Sequence, residues 1–235
     1  MRRPSFPGRW IAIGIYALAA AALLAQPDIG QTALLGLVLA PMLMLSGMPL
    51  RWVIGGGVAA VASGFGIYHF YPHARDRIDA FLNPGGDSGY QVGRALDAIA
   101  AGGVFGRGPG EGVIKRSLPD AHADFVYAVA AEEFGLIASL GLIALFGAFA
   151  FRGLSRASRL NDPFEQLAAG GLVTLMVAQA AIHIAVNLSL IPAKGMTLPF
   201  ISFGGSSMIG SALALGFCLS LLRNRPGAYL YPGRA

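Results

Sequence analysis

Charge is scarce in this sequence, and cysteine is nearly absent. Asp, Glu, Lys and Arg make up 12% of the 235 residues, about half the share of a soluble domain. The shortage is uneven, because several long stretches carry almost no ionisable side chain, and such stretches do not form a water-facing surface. The one cysteine, Cys218, lies inside an apolar run. An intrachain disulfide is therefore impossible, and no Cys/His metal-ligand spacing exists. The formal charge of +5 raises nucleic acid as a partner. The basic residues, however, sit in short clusters between apolar runs, where the positive-inside rule of membrane proteins puts them. That distribution excludes nucleic acid.

Apolar residues are plentiful: 55% of the chain is hydrophobic, with a mean hydropathy of +0.61. A bilayer core is crossed by about 20 mostly apolar residues in a helix. Six runs qualify, at 10–25, 30–48, 52–70, 125–151, 167–191 and 198–222. They are continuous rather than alternating and rich in Ala, Leu and Gly. Backbone polar groups in lipid must be satisfied within their own segment, which favours helices. The expected fold is all-α: one polytopic bundle over 1–235, with six transmembrane helices and one long polar loop at 71–125.

The Lys/Arg distribution orients the bundle. One side receives Arg2, Arg3, Arg9, Arg51, Arg152, Arg156, Arg159, Arg223, Arg225 and Arg234, whereas the other, outside the long loop, receives only Lys194. Both ends of the chain are therefore expected in the cytoplasm, with loop 71–125 outside. The first run, with Arg2, Arg3 and Arg9 before it and Ala22-Leu23-Leu24-Ala25 at its end, also reads as a signal peptide. The charge pattern closes only if that run is a span.

Loop 71–125 holds Asp76, Asp79, Asp87, Asp97, Glu111, Asp120 and Asp124 together with Arg75, Arg77, Arg94, Arg107, Lys115 and Arg116. A connection this long is usually functional or partly helical. Residues 90–99 have the spacing of a short amphipathic helix, and Phe105, Leu118 and Phe125 are apolar enough to dock on the membrane surface. GGVFGRGPGEG at 102–112 lacks the Lys-Ser/Thr ending of a phosphate loop. Its glycines permit tight turns and close backbone approach, which suits either a hinge or a cradle for phosphate.

LPDAHADF at 118–125 runs straight into a span, placing Asp124 at the outer membrane boundary. There its carboxylate either caps the helix or acts as a general base, with His122 and Lys115 nearby in sequence. Glu132 and Glu133 lie about two turns into the same span, where ionisable groups face partners or a wet cavity. Gln179, His183 and Asn187 recur every four residues and share one helix face, a pattern that suits interhelical hydrogen bonds or the wall of a polar cavity. IPAKGMTLPFISFGGSS at 191–207 is an external turn. Its Lys194 and the helix opening at Gly204, Gly205, Ser206 and Ser207 form a candidate anion site.

Four segments together carry a family resemblance: QPDIG at 26–30, GYQVGRALDAIAAGGVFGRGPGEGVIK at 89–115, LPDAHADFVYAVAAEEFGL at 118–136, and IPAKGMTLPFISFGGSS at 191–207. In this order they resemble the shape, elongation, division and sporulation (SEDS) family, in particular its division branch. The resemblance implies the last six spans of a ten-span fold, with 71–125 as the extracytoplasmic catalytic loop. It also implies a peptidoglycan glycosyltransferase of the bacterial cytoplasmic membrane that polymerises lipid II at the septum. Its implied partners are a class B penicillin-binding transpeptidase and other divisome membrane proteins.

By position, Asp124 matches the family's essential aspartate. Arg77, Lys115 and Lys194 match basic positions of the same cavity, and His122 and Glu133 fall in the motif. Ala123 stands where threonine is usual, Phe203 where tyrosine is, and Arg94 where serine is common. In the implied reaction Asp124 takes a proton from a sugar hydroxyl, and the three cations neutralise the departing diphosphate. Mg²⁺ or Mn²⁺ bridging the phosphates is the expected cofactor, with no organic one. Two other functions compete, a lipid II flippase and a non-catalytic scaffold of the division machinery. The flippase would need ionisable groups along a path through the bilayer, and only Glu132, Glu133 and His183 offer one.

Overall fold

A computed structural model of the chain describes residues 7–26, 28–70, 75–76, 78–79, 81, 87–192 and 195–223. Each of the six apolar runs contains a helix, although residues 198–204 of the last run form a turn before it. These helices are α1 (Gly8–Ala25), α2 (Ile29–Leu45), α3 (Leu50–Phe70), α5 (Val126–Ala157), α6 (Pro163–Asn187) and α7 (Gly205–Leu222), and a helix within the long loop, α4 (Asp87–Gly102), precedes α5. α1, α5, α6 and α7 are each long and apolar enough to cross a membrane, and two shorter apolar stretches, Ile29–Leu45 and Leu50–Gly66, accompany them. The molecule is a polytopic helical membrane protein.

Local sequence sets several helix starts. The Asp28 side chain accepts from Gln31 N–H to cap α2. Asp162 accepts from Phe164 and Glu165 N–H to cap α6, with Pro163 at the first helical position, where its missing N–H costs nothing. The first run is helix α1, which lies against α2, with the Tyr16 hydroxyl 2.8 Å from where a Cβ on Gly36 would sit. α6 is the hub, packing against α2, α4, α5 and α7. Small residues let its neighbours approach closely: a Cβ at Gly153 of α5 would lie 2.8 Å from Val173, and one at Gly171 would lie 2.6 Å from Met42 of α2.

The amphipathic reading of 90–99 is realised in α4. Its Val92, Ala95 and Ala98 are buried, spaced three apart on one face. Ala95 and Ala98 form a core with Leu118, Phe125, Ala128 and Val186. Leu118 and Phe125 are therefore not membrane-surface contacts as their polarity suggested. They are 5% and 3% exposed, whereas Phe105 is 83% exposed.

The fourth apolar run is not one straight span. Gly135 interrupts α5 with φ 77° and ψ −174°, a region open essentially to glycine alone. The Gly-rich segment docks on this break. Leu136 and Ile137 N–H donate to the carbonyls of Gly103 and Val104, and Arg107 and Gly108 N–H donate to those of Glu132 and Glu133. The glycines serve this contact and not a hinge: a Cβ at Gly102 would lie 1.9 Å from Ala131 O, and one at Gly106 would lie 2.1 Å from Glu133 O. A Cβ at Gly135 itself would lie 2.4 Å from Gly106 N and Val104 O. Gly135→Ala is therefore expected to destabilise the protein by at least about 1–3 kcal/mol of backbone strain, with the overlap added. Thermal unfolding of the purified full-length protein in detergent measures it, and an unchanged midpoint would show that 103–108 does not rest on this break.

Candidate functional site

Asp124 ends a tight turn whose backbone is held on every side. Its own N–H donates to Asp120 O at 2.9 Å. Three successive carbonyls are then each engaged from elsewhere in the chain. His122 O accepts Phe203 N–H at 2.9 Å, Ala123 O accepts the Ser202 hydroxyl at 2.7 Å, and Asp124 O accepts the Asn187 side-chain amide at 3.1 Å. Buried backbone groups must find partners, and here the partners come from α6 and from the 195–203 turn. The helix that follows takes Phe125, not Asp124, as its N-cap residue, with no cap hydrogen bond from that side chain. The part-buried carboxylate instead lies against Gly195, where an added Cβ would sit 3.1 Å from Oδ2 and 3.6 Å from Oδ1.

The polar stripe on α6 is the scaffold of this arrangement. Besides Asp124 O, the Asn187 amide donates to His183 O, while Asn187 Oδ1 accepts Ala128 N–H in the first turn of α5. His183 Nδ1 lies 2.6 Å from Met196 O, and Gln179 donates to the carbonyl and hydroxyl of Thr197. The stripe thus makes interhelical and helix–turn hydrogen bonds, pinning the 195–203 turn to the bundle. Within that turn Ser202 also accepts Leu198 N–H, and Thr197 pairs with the hydroxyl of Ser207 at the start of α7. Ser206 is exposed beside it, and no side chain caps α7. Asp120 and Phe200 adopt positive φ, 49° and 64°, unusual for residues with side chains. The surrounding hydrogen bonds hold them there.

Lys115 and Glu133, from two different quoted segments, meet in an ion pair between Lys115 Nζ and Glu133 Oε1. The same ammonium donates to Gly110 O at 3.3 Å. Glu132, next in sequence, is fully buried. Its Oε1 accepts Val113 and Ile114 N–H, both at 2.8 Å, and its Oε2 accepts Lys115 N–H at 2.9 Å. These amides open the short 3₁₀ turn Ile114–Ser117. The two glutamates therefore belong to the half of α5 before the Gly135 break, where they fasten the loop. His122 is exposed, with its ring edge-on to Phe203 at 5.3 Å. Arg77 and Lys194 lie outside the described residues.

The sequence singles out Glu132 only as an ionisable group within a span, and it passes over Ser202 and Gly195. Ser202 and Gly195 stood inside a quoted motif, but no spacing distinguished them from their neighbours. The four-residue repeat did single out Gln179, His183 and Asn187. Chemically, the arrangement offers a carboxylate on a backbone that cannot drift, at the polar end of a membrane bundle, with uncapped helix amides nearby.

Comparison with known proteins agrees with the motifs. The cell cycle protein family of FtsW, RodA and SpoVE matches residues 1–226. A Caulobacter vibrioides protein named as a probable peptidoglycan glycosyltransferase FtsW is 53% identical over 95% of this chain and 57% of its own length. A Mycobacterium tuberculosis protein of the same name is 40% identical over 90% of this chain and 41% of its own. The chain thus spans about half the length of these curated relatives. Among solved structures, a peptidoglycan synthase complex that coordinates polymerisation and crosslinking contains a chain with a TM-score of 0.72. It is 26% identical, over 92% of this chain and 62% of that one. A rod shape determining protein RodA variant from Thermus thermophilus, with a TM-score of 0.59 and 24% identity over 95% of this chain and 58% of its own, shares the fold. With four motifs in order, the same helical architecture and a family match along nearly its whole length, this chain belongs to the SEDS family of cell cycle proteins.

Proposed function

We propose that the complete protein is a peptidoglycan glycosyltransferase that polymerises lipid II into glycan strands during septal wall synthesis. The observation that carries this reading is Asp124, a carboxylate whose backbone is clamped at three consecutive carbonyls on the polar end of the bundle. The name of the Caulobacter relative supports the same activity.

In the proposed reaction, the 4-hydroxyl oxygen of one sugar attacks the anomeric carbon of the next. A new carbon–oxygen bond forms as the bond to the lipid diphosphate breaks, and the configuration inverts from α to β. The hydroxyl proton passes to Asp124, and the diphosphate leaves with its electron pair. Because that leaving group is already stable as an anion, it needs neutralisation more than protonation. One carboxylate therefore suffices, unlike the pair used by ordinary inverting glycosidases. Arg77, Lys115 and Lys194 are assigned the neutralising role, with Ser206, Ser207 and the α7 amides beside them as donors. His122 and Glu133 line the same mouth, Glu133 by holding Lys115. Mg²⁺ or Mn²⁺ would enter with the diphosphate. Among the described residues no three His, Cys, Asp or Glu side chains converge on one point, so no step is derived through a metal.

The proposal places the 71–125 loop outside the bacterial cytoplasmic membrane and both ends of this chain inside, as the Lys/Arg distribution requires. It takes a class B penicillin-binding transpeptidase and other division-site membrane proteins as partners, in keeping with the synthase complex whose chain shares this fold. A flippase would need titratable groups along a span, and Glu132 and Glu133 are instead engaged in fastening the loop. One purified sample of the full-length protein separates the readings. Polymer formation from lipid II without movement of labelled lipid II across vesicle membranes is expected. Movement without polymer would establish the transporter, and neither activity the scaffold.

A further inference from the structure

The exposed tip of the Gly-rich turn has no part in the chemistry above. Phe105 is 83% exposed and Val104 52%, the reverse of what a polar loop in water presents. Gly103 and Gly106 bracket the tip at φ 58° and 82°, and Gly106 N–H closes the turn on Gly102 O at 2.8 Å. The backbone is thus fixed in a form that projects these two side chains outward.

The level of the tip relative to the bilayer follows from its hydrogen bonds. Gly103 O and Val104 O accept from Leu136 and Ile137 N–H, at 2.9 and 3.4 Å. Those two residues begin the continuous part of α5 after the Gly135 break. Residues 136–157 rise about 33 Å at 1.5 Å each, close to the ~30 Å of a hydrocarbon core. Leu136 and Ile137 therefore stand at the outer edge of that core, and the tip bonded to them stands at the same height. On α5 beside it, Leu136, Ile137 and Leu140 are each at least 50% exposed, an apolar face of the kind that lipid covers. Arg107, exposed two residues beyond Phe105, supplies a cation at headgroup height. An apolar wedge with a neighbouring cation suits an interfacial lipid contact.

We infer that Val104 and Phe105 insert into the outer leaflet, anchoring the catalytic loop to the membrane surface, with phospholipid as the occupant. The anchor fixes the height of the 103–108 segment and, through Arg107 and Gly108 bonded to Glu132 O and Glu133 O, the height of the half-helix that follows Asp124. This inference rests on the bilayer position of α5 and not on the proposed activity.

The test uses the full-length protein with Cys218→Ala and any cysteine outside this chain also replaced, and a single new thiol from Phe105→Cys, or from Glu111→Cys as the water-facing control, Glu111 being exposed on the same loop. Each thiol carries an environment-sensitive fluorophore, and the protein is reconstituted in vesicles of zwitterionic and anionic phospholipid. Lipids spin-labelled near the headgroup end of the acyl chain are expected to quench the label at 105 about twofold, while aqueous iodide leaves it unchanged. The label at 111 is expected to show the opposite pattern. Iodide quenching at 105 equal to that at 111 overturns the inference. So does shielding from both quenchers that appears only when the partner transpeptidase is co-reconstituted, which would assign the tip to a protein interface.

Discussion

Asp124→Asn, made in the full-length protein, is expected to reduce glycan polymerisation by roughly 10²–10⁴-fold, the usual worth of a positioned general base. Insertion, yield and thermal midpoint are expected to stay as they are. The substitution keeps the size and shape of the side chain, and the clamp around it does not depend on the carboxylate. The hydrogen bonds of the clamp run from Phe203, Ser202 and Asn187 to the backbone carbonyls of His122, Ala123 and Asp124. Position 123 is likewise anchored through its carbonyl, which accepts the Ser202 hydroxyl. Asparagine offers no base for the hydroxyl proton, so the loss should appear in kcat with little change in KM. Polymerisation at the wild-type rate would remove Asp124 from the mechanism. A collapsed thermal midpoint would instead make the residue structural.

The second large effect is expected at Glu132. Both its oxygens are used, and all three donors are backbone amides of residues 113–115. Glu132→Ala leaves those N–H groups facing a fully buried void. Each unsatisfied donor costs about 1–3 kcal/mol, and the missing side-chain volume adds a cavity term. A total of several kcal/mol is comparable to the whole stability of a typical domain, so Glu132→Ala is expected to lose folded protein altogether. Glu132→Gln is the informative partner. It preserves volume and one acceptor oxygen but points an NH₂ group at an amide donor, so one to two hydrogen bonds are lost. A lowered but measurable thermal midpoint in detergent is expected, about 1–3 kcal/mol below wild type. If Glu132→Gln matches wild type in both midpoint and polymerisation, the cradle is not what fixes the Lys115 segment.

The two glutamates show how adjacent positions divide labour. Glu132 grips the backbone of the 113–115 segment, and Glu133 takes the side chain of Lys115 from the same segment. Neither would be affordable in lipid. Gly135 ends the half-helix just after them, so both remain on the polar side of the break. The continuous apolar run that invited a single-span reading is broken at Gly135 into two pieces.

Much of the architecture was legible from composition and period alone. Six long apolar runs, charged only at Glu132 and Glu133, have few structures open to them, since lipid offers the backbone no partner. Val92, Ala95 and Ala98 marked the buried face of α4 by spacing. The stripe of Gln179, His183 and Asn187 was equally legible, because a four-residue repeat aligns side chains whatever they touch. The place of Asp124 at the start of a span needed only its distance from the first apolar residue. The tertiary structure decided the rest. Gly135 differs from Gly141 and Gly147 in nothing that local sequence records. It breaks the helix because the backbone of 103–108 docks there. Leu118 and Phe125 carry the same apolarity as Phe105, yet α4 covers the first two and leaves the third exposed. The clamp on residues 122–124 draws on Asn187, Ser202 and Phe203, more than sixty positions away along the chain. Hydrophobic period is a property of neighbours in sequence, whereas hydrogen-bond partnership is a property of neighbours in space, and only the folded chain supplies those.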